Sequence, residues 1–344
     1  MAGHGRATFR MASVFRTLFT TGFTWGALGL HFLVCACYLR RWDKVAAITV
    51  FPFWSWALAG AGMAGVAWLI GRKRLPAAVF LLWVGTVLVG SDETRPLLRL
   101  TAEKPQPGVP AQVNGTRPLR IVTLNCRVGR AHPEALKDVE PWQPDIVFLQ
   151  ESPFPNELEK LTDRLFGVKQ GEWVGGPECS ILARGRIHEP VTGWQPTSVL
   201  GTVEFAPGKF IEVACVHLKG AETTVKLWKK EAWLSHYYNR QSRRAELSRL
   251  LGVRQFLSRQ HPAIIGGDFN APAGDAVFDL LRDAGFRDAF AEAGSGWPDT
   301  YPNTAPMLRI DHLWVNAGIT PVRAAAVTTV YSDHRMVVCD FLLP

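Results

Sequence analysis

Three stretches without a single Asp, Glu, Lys or Arg follow one another near the N-terminus: Leu18 to Leu39 (22 residues), Val45 to Ile70 (26) and Leu75 to Ser91 (17). A helix rises about 1.5 Å per residue, so ~20 apolar residues cross the ~30 Å hydrocarbon layer of a bilayer. The first two runs are long enough and the third is short. A cleaved signal peptide has a shorter apolar run and none behind it, and core helices of a soluble domain seldom come as three such runs in a row. Residues 1–91 are therefore expected to be a membrane anchor, with transmembrane helices at 18–39, 45–70 and 75–91. Trp25, Trp42 and Trp83 suit interfacial positions.

The basic residues fall between the runs. Arg6, Arg10 and Arg16 on the N-terminal flank and Arg72, Lys73 and Arg74 in the second loop outnumber Arg40, Arg41 and Lys44 in the first. Positive loops stay in the cytoplasm, so the N-terminus is expected there. Three crossings then carry everything after Ser91 to the other side of a plasma or inner membrane. If 75–91 is re-entrant instead, the count falls to two and the large domain returns to the cytoplasm.

Composition enters when charge is divided by position. The 344 residues carry 38 Lys+Arg and 30 Asp+Glu, a formal +8, with 47% hydrophobic residues. This excludes a disordered chain and a small disulfide scaffold. Residues 1–118 hold 13 basic and 4 acidic side chains, leaving 38 − 13 = 25 basic and 30 − 4 = 26 acidic for 119–344. The excess belongs to the membrane portion, so it is no argument for nucleic acid. Cys35 and Cys37 lie in the first run; Cys126, Cys179, Cys215 and Cys339 lie in expected strands, and no metal-binding Cys/His spacing occurs. Residues 92–118 contain Pro96, Pro105, Pro107, Pro110 and Pro118 and read as a linker without persistent helix or sheet. Asn114-Gly-Thr116 is formally a glycosylation sequon.

From Leu119 strand-like and helical stretches alternate, as in an α/β domain over 119–344. Strands are expected at Arg120–Cys126, Ile146–Gln150, Cys179–Arg184, Phe210–His217, Ala263–Gly267, Ile310–Val315 and Met336–Leu342. Helices are expected at Pro133–Val139, Phe154–Leu165, Ser242–Ser258 and Gly274–Ala284. Polar residues close several strands: Asn125 in Thr-Leu-Asn, Glu151 in Phe-Leu-Gln-Glu and His217 in Cys-Val-His-Leu. Gly-Gly-Asp268-Phe-Asn270, Arg-Ile-Asp311-His-Leu and Ser-Asp333-His334-Arg follow. Singly, each could be a cap or a turn. Together they put carboxylates, amides and histidines where strands hand over to loops, the usual place for α/β sites.

In order and spacing these motifs resemble the endonuclease/exonuclease/phosphatase superfamily, here as a membrane-anchored, bacterial-type member. The resemblance runs from Leu119 to Leu343 and leaves the first hundred residues untouched. It implies a DNase I-like four-layer sandwich, two packed mixed sheets flanked by helices, that hydrolyses phosphate esters with a divalent metal. Asn125 and Glu151 match metal ligands, with Asp333 a further carboxylate on the metal side or a ligand through water. Such hard oxygen donors favour Mg²⁺ or Mn²⁺ over zinc. Asp268 matches the acid that positions and deprotonates the attacking water, and Asn270 a donor to the phosphoryl oxygens. His334, held in one tautomer by Asp311, matches a histidine that contacts the phosphate or exchanges its proton, and His217 another phosphate-contacting histidine; His312 is structural or supports the site from behind. The inositol-phosphatase pattern, Asn-Tyr-Arg after the Gly-Asp and Trp-Cys-Asp-Arg before the late Asp, is replaced here by Asp268-Phe-Asn270-Ala-Pro and Leu308-Arg-Ile-Asp311.

One segment of the domain is strongly basic: Lys219 to Arg259 has ten basic residues against Glu222, Glu231 and Glu246. It starts directly after His217 and interleaves Trp228, Lys229, Lys230, Trp233, Tyr237, Tyr238 and Arg240. Trp228, Lys229, Lys230, Trp233, Tyr237 and Arg240 are expected to overhang the site and bind substrate. This chemistry suits a lipid interface and single-stranded nucleic acid; a solvated amphipathic helix has the same pattern. The expected partner is a membrane lipid phosphodiester, with an extracytoplasmic nuclease as the alternative and a non-catalytic membrane sensor as the third reading.

Overall fold

A computed structural model describes residues 2–99, 101–128, 133–191, 197–220, 224–253 and 261–344, with the side chains of 2–10 and 12 left aside. The first apolar run is the C-terminal part of a long helix, α1 (Ala2–Arg40). The second run is not one helix. A short 3-10 turn at Asp43–Val45 leads into α2 (Ala46–Thr49), the chain breaks before Pro52, and α3 occupies Phe53–Gly71. Proline lacks the amide hydrogen and forces its predecessor out of the helical region, which shortens this apolar helix to 19 residues. α4 (Arg74–Gly90) and α5 (Thr94–Leu98) follow. By length and apolarity, Ser13–Arg40 and Phe53–Gly71 are long enough to cross a membrane, and Arg74–Gly90 is shorter.

α1, α3 and α4 pack on one another through small residues, which allow close approach. Trp83 lies at the centre, fully buried, its indole N–H donating to the Ala27 carbonyl at 3.1 Å. The expectation of an interfacial Trp83 is thus corrected: a side chain at Gly60 would approach the Trp83 ring to 2.1 Å, so the ring fills the gap that glycine leaves. Trp25 and Trp42 are exposed.

The remaining elements are β1 (Leu119–Asn125), β2 (Ile146–Gln150), α6 (Pro155–Phe166), β3 (Gly171–Gly175), β4 (Cys179–Arg184), β5 (Arg186–Val191), β6 (Ser198–Ala206) and β7 (Lys209–His217). Then come α7 (Lys230–Leu251), β8 (Ala263–Asp268), α8 (Asp279–Asp283), β9 (Arg287–Asp288), α9 (Ala289–Ala293), β10 (Asp311–Val315), β11 (Thr320–Val327) and β12 (Met336–Leu342). They form two mixed six-stranded sheets, ordered β11-β12-β1-β2-β4-β3 and β5-β6-β7-β8-β10-β9. Each has one parallel pair at its centre, β1 with β2 and β7 with β8. Phe148, Ile181, Val213, Ile264 and Leu313 lie in the core between the sheets. A second apolar layer lies beneath α7 and a third beneath α6, which gives the four-layer sandwich.

Beyond the expected strands the structure has β3, β5, β6, β9 and β11. β5 is largely exposed and lacks clean alternation, reading EPV at its end. Two expected helices are reduced: 133–138 is a 3-10 segment, and 274–284 divides into a 3-10 turn at Ala276–Phe278 and the five-residue α8, whereas α7 starts twelve residues before the expected Ser242. The end of the expected helix Ser242–Ser258 lies outside the described residues from 254 onward.

The stretch 92–118 is strapped to the domain. Arg120, fully buried and paired with Asp340 at 2.6 and 3.0 Å, also donates to the carbonyls of Gln106 and Gly108. Arg323 binds Glu103 and the Ala111 carbonyl. Arg99 reaches the carbonyls of Ala291 and Gly294. Two nearly buried guanidiniums thus collect backbone oxygens that a proline-rich chain cannot use in helix or sheet.

Candidate active site

The ends of the parallel pairs bring the motif residues together. β1 and β2 end in register at Asn125 and Gln150, so Glu151 emerges beside Asn125; β7 and β8 end in register at His217 and Asp268. Asp311 opens β10 directly opposite Asp268. Gly267 has φ +139°, and a side chain there would lie 2.0 Å from the Val216 carbonyl oxygen. Only glycine lets the strand turn Asp268 inward at this point. Glu151 and Asn270 adopt left-handed φ values of 49° and 50°, a conformation non-glycine residues hold only where surrounding contacts enforce it.

At the centre is the Asp268 carboxylate. Its Oδ2 accepts from the Asn125 amide at 3.0 Å, and its Oδ1 from the Asn270 backbone N–H at 2.8 Å. Two imidazoles face Oδ2, His217 Nε2 at 4.0 Å and His334 Nε2 at 3.9 Å. Each is oriented by a carboxylate on its other nitrogen: Glu178 on His217 Nδ1 at 3.0 Å, and Asp311 on His334 Nδ1 at 2.9 Å. Glu151 Oε1 is 3.3 Å from the Asn125 amide and 3.9 Å from His217 Nε2, while its other oxygen accepts from Val128 N–H.

Burial, then the neighbouring Asp311 charge, pushes Asp268 up to about 6. Burial pulls His334 down, but the Asp311 carboxylate more than offsets it and holds the imidazole up to about 10. His312 is the opposite case: burial, with Arg309 alongside, takes it to about 4, and its Nε2 meets the Ala271 carbonyl. It is neutral and built into the core.

Asp268, Asn270, His217, His334, Asp311, Asn125 and Glu151 therefore form one cluster. Asp333 stands at the rim, its side chain 38% exposed and 3.9 Å from Arg127. One N–H of the Asn270 amide donates to the Leu218 carbonyl, bracing β7 against β8. Sequence reasoning missed Glu178 and Tyr301, whose ring lies 4.9 Å from that of His334. Neither sits in a recognisable motif; Glu178 is only the acid before β4.

The basic segment does not form the expected surface. Arg240 is corrected: it is fully buried, ion-paired with Asp275 at 3.1 Å and hydrogen-bonded to Thr49. With His236, Arg243 and Leu247 it belongs to the face of α7 that packs inward at helical spacing. Trp233 is half-buried and donates to the Leu227 carbonyl; Tyr237 is half-buried against Tyr238. Trp228, Lys229 and Lys230 are exposed.

Two packed mixed sheets with acids, amides and carboxylate-held histidines at their shared end define a metal-dependent hydrolase of phosphate esters. A model of the Endonuclease/Exonuclease/phosphatase family matches residues 122–334, more than half of the chain, and the protein belongs to that family. Among solved structures, a functionally unknown conserved protein from Enterococcus faecalis is 18% identical with a TM-score of 0.50, covering 66% of this chain and 100% of its own. An endonuclease/exonuclease/phosphatase from Bacteroides vulgatus is 17% identical with a TM-score of 0.50, covering 67% and 100%. The human Nocturnin catalytic domain with bound sulfate is 19% identical, also at 0.50, covering 66% and 94%. At this identity the likeness is one of fold. A search of the curated proteins found no match.

Proposed function

We propose that the protein is a membrane-anchored phosphodiesterase that cuts the headgroup of a bilayer phospholipid or sphingolipid. The observation that carries this reading is the docking of two site loops on the helical bundle. Pro272–Gly274, two residues after Asn270, lines a cavity with Tyr38, Phe51 and Phe53, and Trp297, four residues before Tyr301, meets Trp54 with ring centroids 6.4 Å apart. A site whose loops rest on membrane helices works beside the lipid surface.

The residues fit a divalent cation. Glu151 and Asp268 crowd acceptor oxygens around the Asn125 amide, and Asp311 Oδ1 is buried without a partner. Such acceptor-rich pockets suit hard cations. Asp268, Asp311 and His334 also offer ligand atoms within 4.8 Å of one another, but the proton held on His334 competes for that position. Asn125 and Glu151, with Asp333 at the rim, are thus the proposed holders, and Mg²⁺ or Mn²⁺ the proposed ion. Bound there, it neutralises phosphoryl charge.

Asp268, poised near neutrality, positions the attacking water and takes its proton. His334, kept cationic by Asp311, and His217, oriented by Glu178, direct Nε2 at the phosphoryl oxygens as charge accumulates. Asn270 holds the two strand ends in register and keeps its amide beside them. Three crossings with the N-terminus in the cytoplasm place the catalytic domain outside it.

The deciding experiment is a metal-dependent hydrolysis screen of the detergent-solubilised full chain against phospholipids, sphingomyelin, plasmid DNA and aryl phosphates. Lipid turnover is expected; cleavage of DNA alone overturns the lipid reading. The exposed Trp228, Lys229 and Lys230 favour the nuclease alternative, since rings beside cations stack single strands. In that case activity falls steeply with salt.

A further inference from the structure

The outer side of the helical bundle is open between α3 and α4. Ala57 and Ala61 on one helix and Val84 and Val87 on the other line an apolar groove of about 340 Å³, with Trp54 and Trp297 at its head. Its rims, Leu58 and Leu88, are 68% and 56% exposed. Trp54 sits in the first turn of α3, so the groove runs inward from the end of the bundle that carries the catalytic domain. Its size is that of a small-molecule site, for which about 300–1,000 Å³ is usual. The Trp54 indole N–H is buried in it without a partner.

Two cations lie near the head of the groove. Gly296, next to Trp297, donates its N–H to the Pro96 carbonyl at 3.1 Å, and a side chain added at Gly296 would lie 3.1 Å from Lys104 Nζ. Lys104 is exposed, as is Arg95, which precedes Pro96 in the chain and whose charge also acts on Asp92. An apolar slot in the hydrocarbon zone, headed by an indole and two cations at the surface, matches a chain bearing a phosphate at one end. The long apolar helices of a second copy would cover the apolar walls, but α1, α3 and α4 carry no Asp or Glu to meet a cation.

We propose that this groove holds an acyl chain of a phosphate-bearing bilayer lipid, with its phosphate beside Arg95 and Lys104. Trp297 then joins the lipid to the segment that ends at the site. In that segment Tyr301 lies against His334, and Asn303 donates its N–H to the Asp333 carbonyl at 2.6 Å. The inference rests on α3 and α4 lying in a membrane and is independent of which phosphate ester is cut.

The test uses the full chain in nanodiscs containing a trace of phosphatidylglycerol with a diazirine midway along one acyl chain. Photolysis followed by peptide mass mapping should place the label on α3, α4 and the Trp297 peptide. Ala61→Phe and Ala57→Phe fill the groove and should lower that labelling about tenfold, while Leu33→Phe on the exposed face of α1 leaves it unchanged. Arg95→Gln combined with Lys104→Gln should weaken labelling by phosphatidylglycerol more than by a diazirine fatty alcohol. Labelling spread equally over α1, or unchanged in the filled variants, overturns the proposal, as does a dimer whose interface masks the groove. Labelling without lipid hydrolysis would sink the lipid substrate and leave the groove; hydrolysis without groove labelling would do the reverse.

Discussion

At the scale of single residues, function depends on which protons stay where. Replacing Asp268 by Asn or His334 by Ala should lower metal-dependent turnover by about 10²–10⁴-fold, with circular dichroism unchanged. Asp311 acts through His334. The pair holds the imidazolium up to about 10, so activity that needs the cation is present below that value and lost as pH rises through it. Asp311→Asn should move this alkaline limb to lower pH, measured as a pH profile of kcat/KM; an unmoved limb removes the role assigned to His334. Glu178→Gln frees the His217 ring and should cost up to about 10²-fold in kcat, with metal affinity unchanged. Most of this cluster was legible because Asn125, Glu151, His217, Asp268, Asp311 and Asp333-His334 lie in short motifs at strand ends. Glu178 and Tyr301 were not, because their roles come from cross-strand proximity and leave no local pattern.

At the scale of elements, α7 (Lys230–Leu251) begins twelve residues before the expected helix at Ser242, and the added turns carry Arg240. Arg240 was expected to bind substrate; instead it sits between Asp275 and Thr49, Arg244 lies 3.1 Å from Asp43, and Gln241 hydrogen-bonds Asp43. The helix is the part of the domain that grips the connection between α1 and α3. Arg240→Ala would leave the buried Asp275 without its main partner, at a cost of about 3–5 kcal/mol. The expected result is a lower melting temperature for the full chain, together with faster proteolysis in the 41–52 connection. Retention of both would show that this contact does not hold the domain. Pro52 and Gly60 show how single residues redraw elements: one splits an apolar run into two helices, the other admits Trp83 into the bundle.

At the scale of the whole molecule, the catalytic domain is seated on the bundle through buried charge. Arg309 bridges Asp92 at 2.7 Å and Asp288 at 2.7 Å. Asp92 is nonetheless pushed up by burial, since Asp288, which is held low, shares the same guanidinium. Beside them Asp299 is buried with one oxygen unpartnered, and burial followed by the Glu93 charge raises it to about 8. A carboxyl raised on folding contributes stability that is complete below its unfolded value and lost as pH rises through its folded one. Asp299→Asn should therefore flatten the fall in melting temperature between about pH 4 and pH 8 and raise it most at the alkaline end. A wild-type curve without that fall would refute the assignment. For topology, a reporter active only in the cytoplasm, fused after residue 118, is expected to stay silent.

By itself the sequence determined the apolar helices, the α/β character of 119–344 and the motif residues, because periodicity, proline and strand-end polarity act over a few neighbouring residues. Only the tertiary structure decided that 92–118 is strapped down by Arg120 and Arg323, that Arg240 faces the bundle and that Trp83 is central. It also decided that Trp297 caps a groove. Each of these depends on partners tens to hundreds of residues away, and burial and charge pairing at that range are settled by how the layers pack.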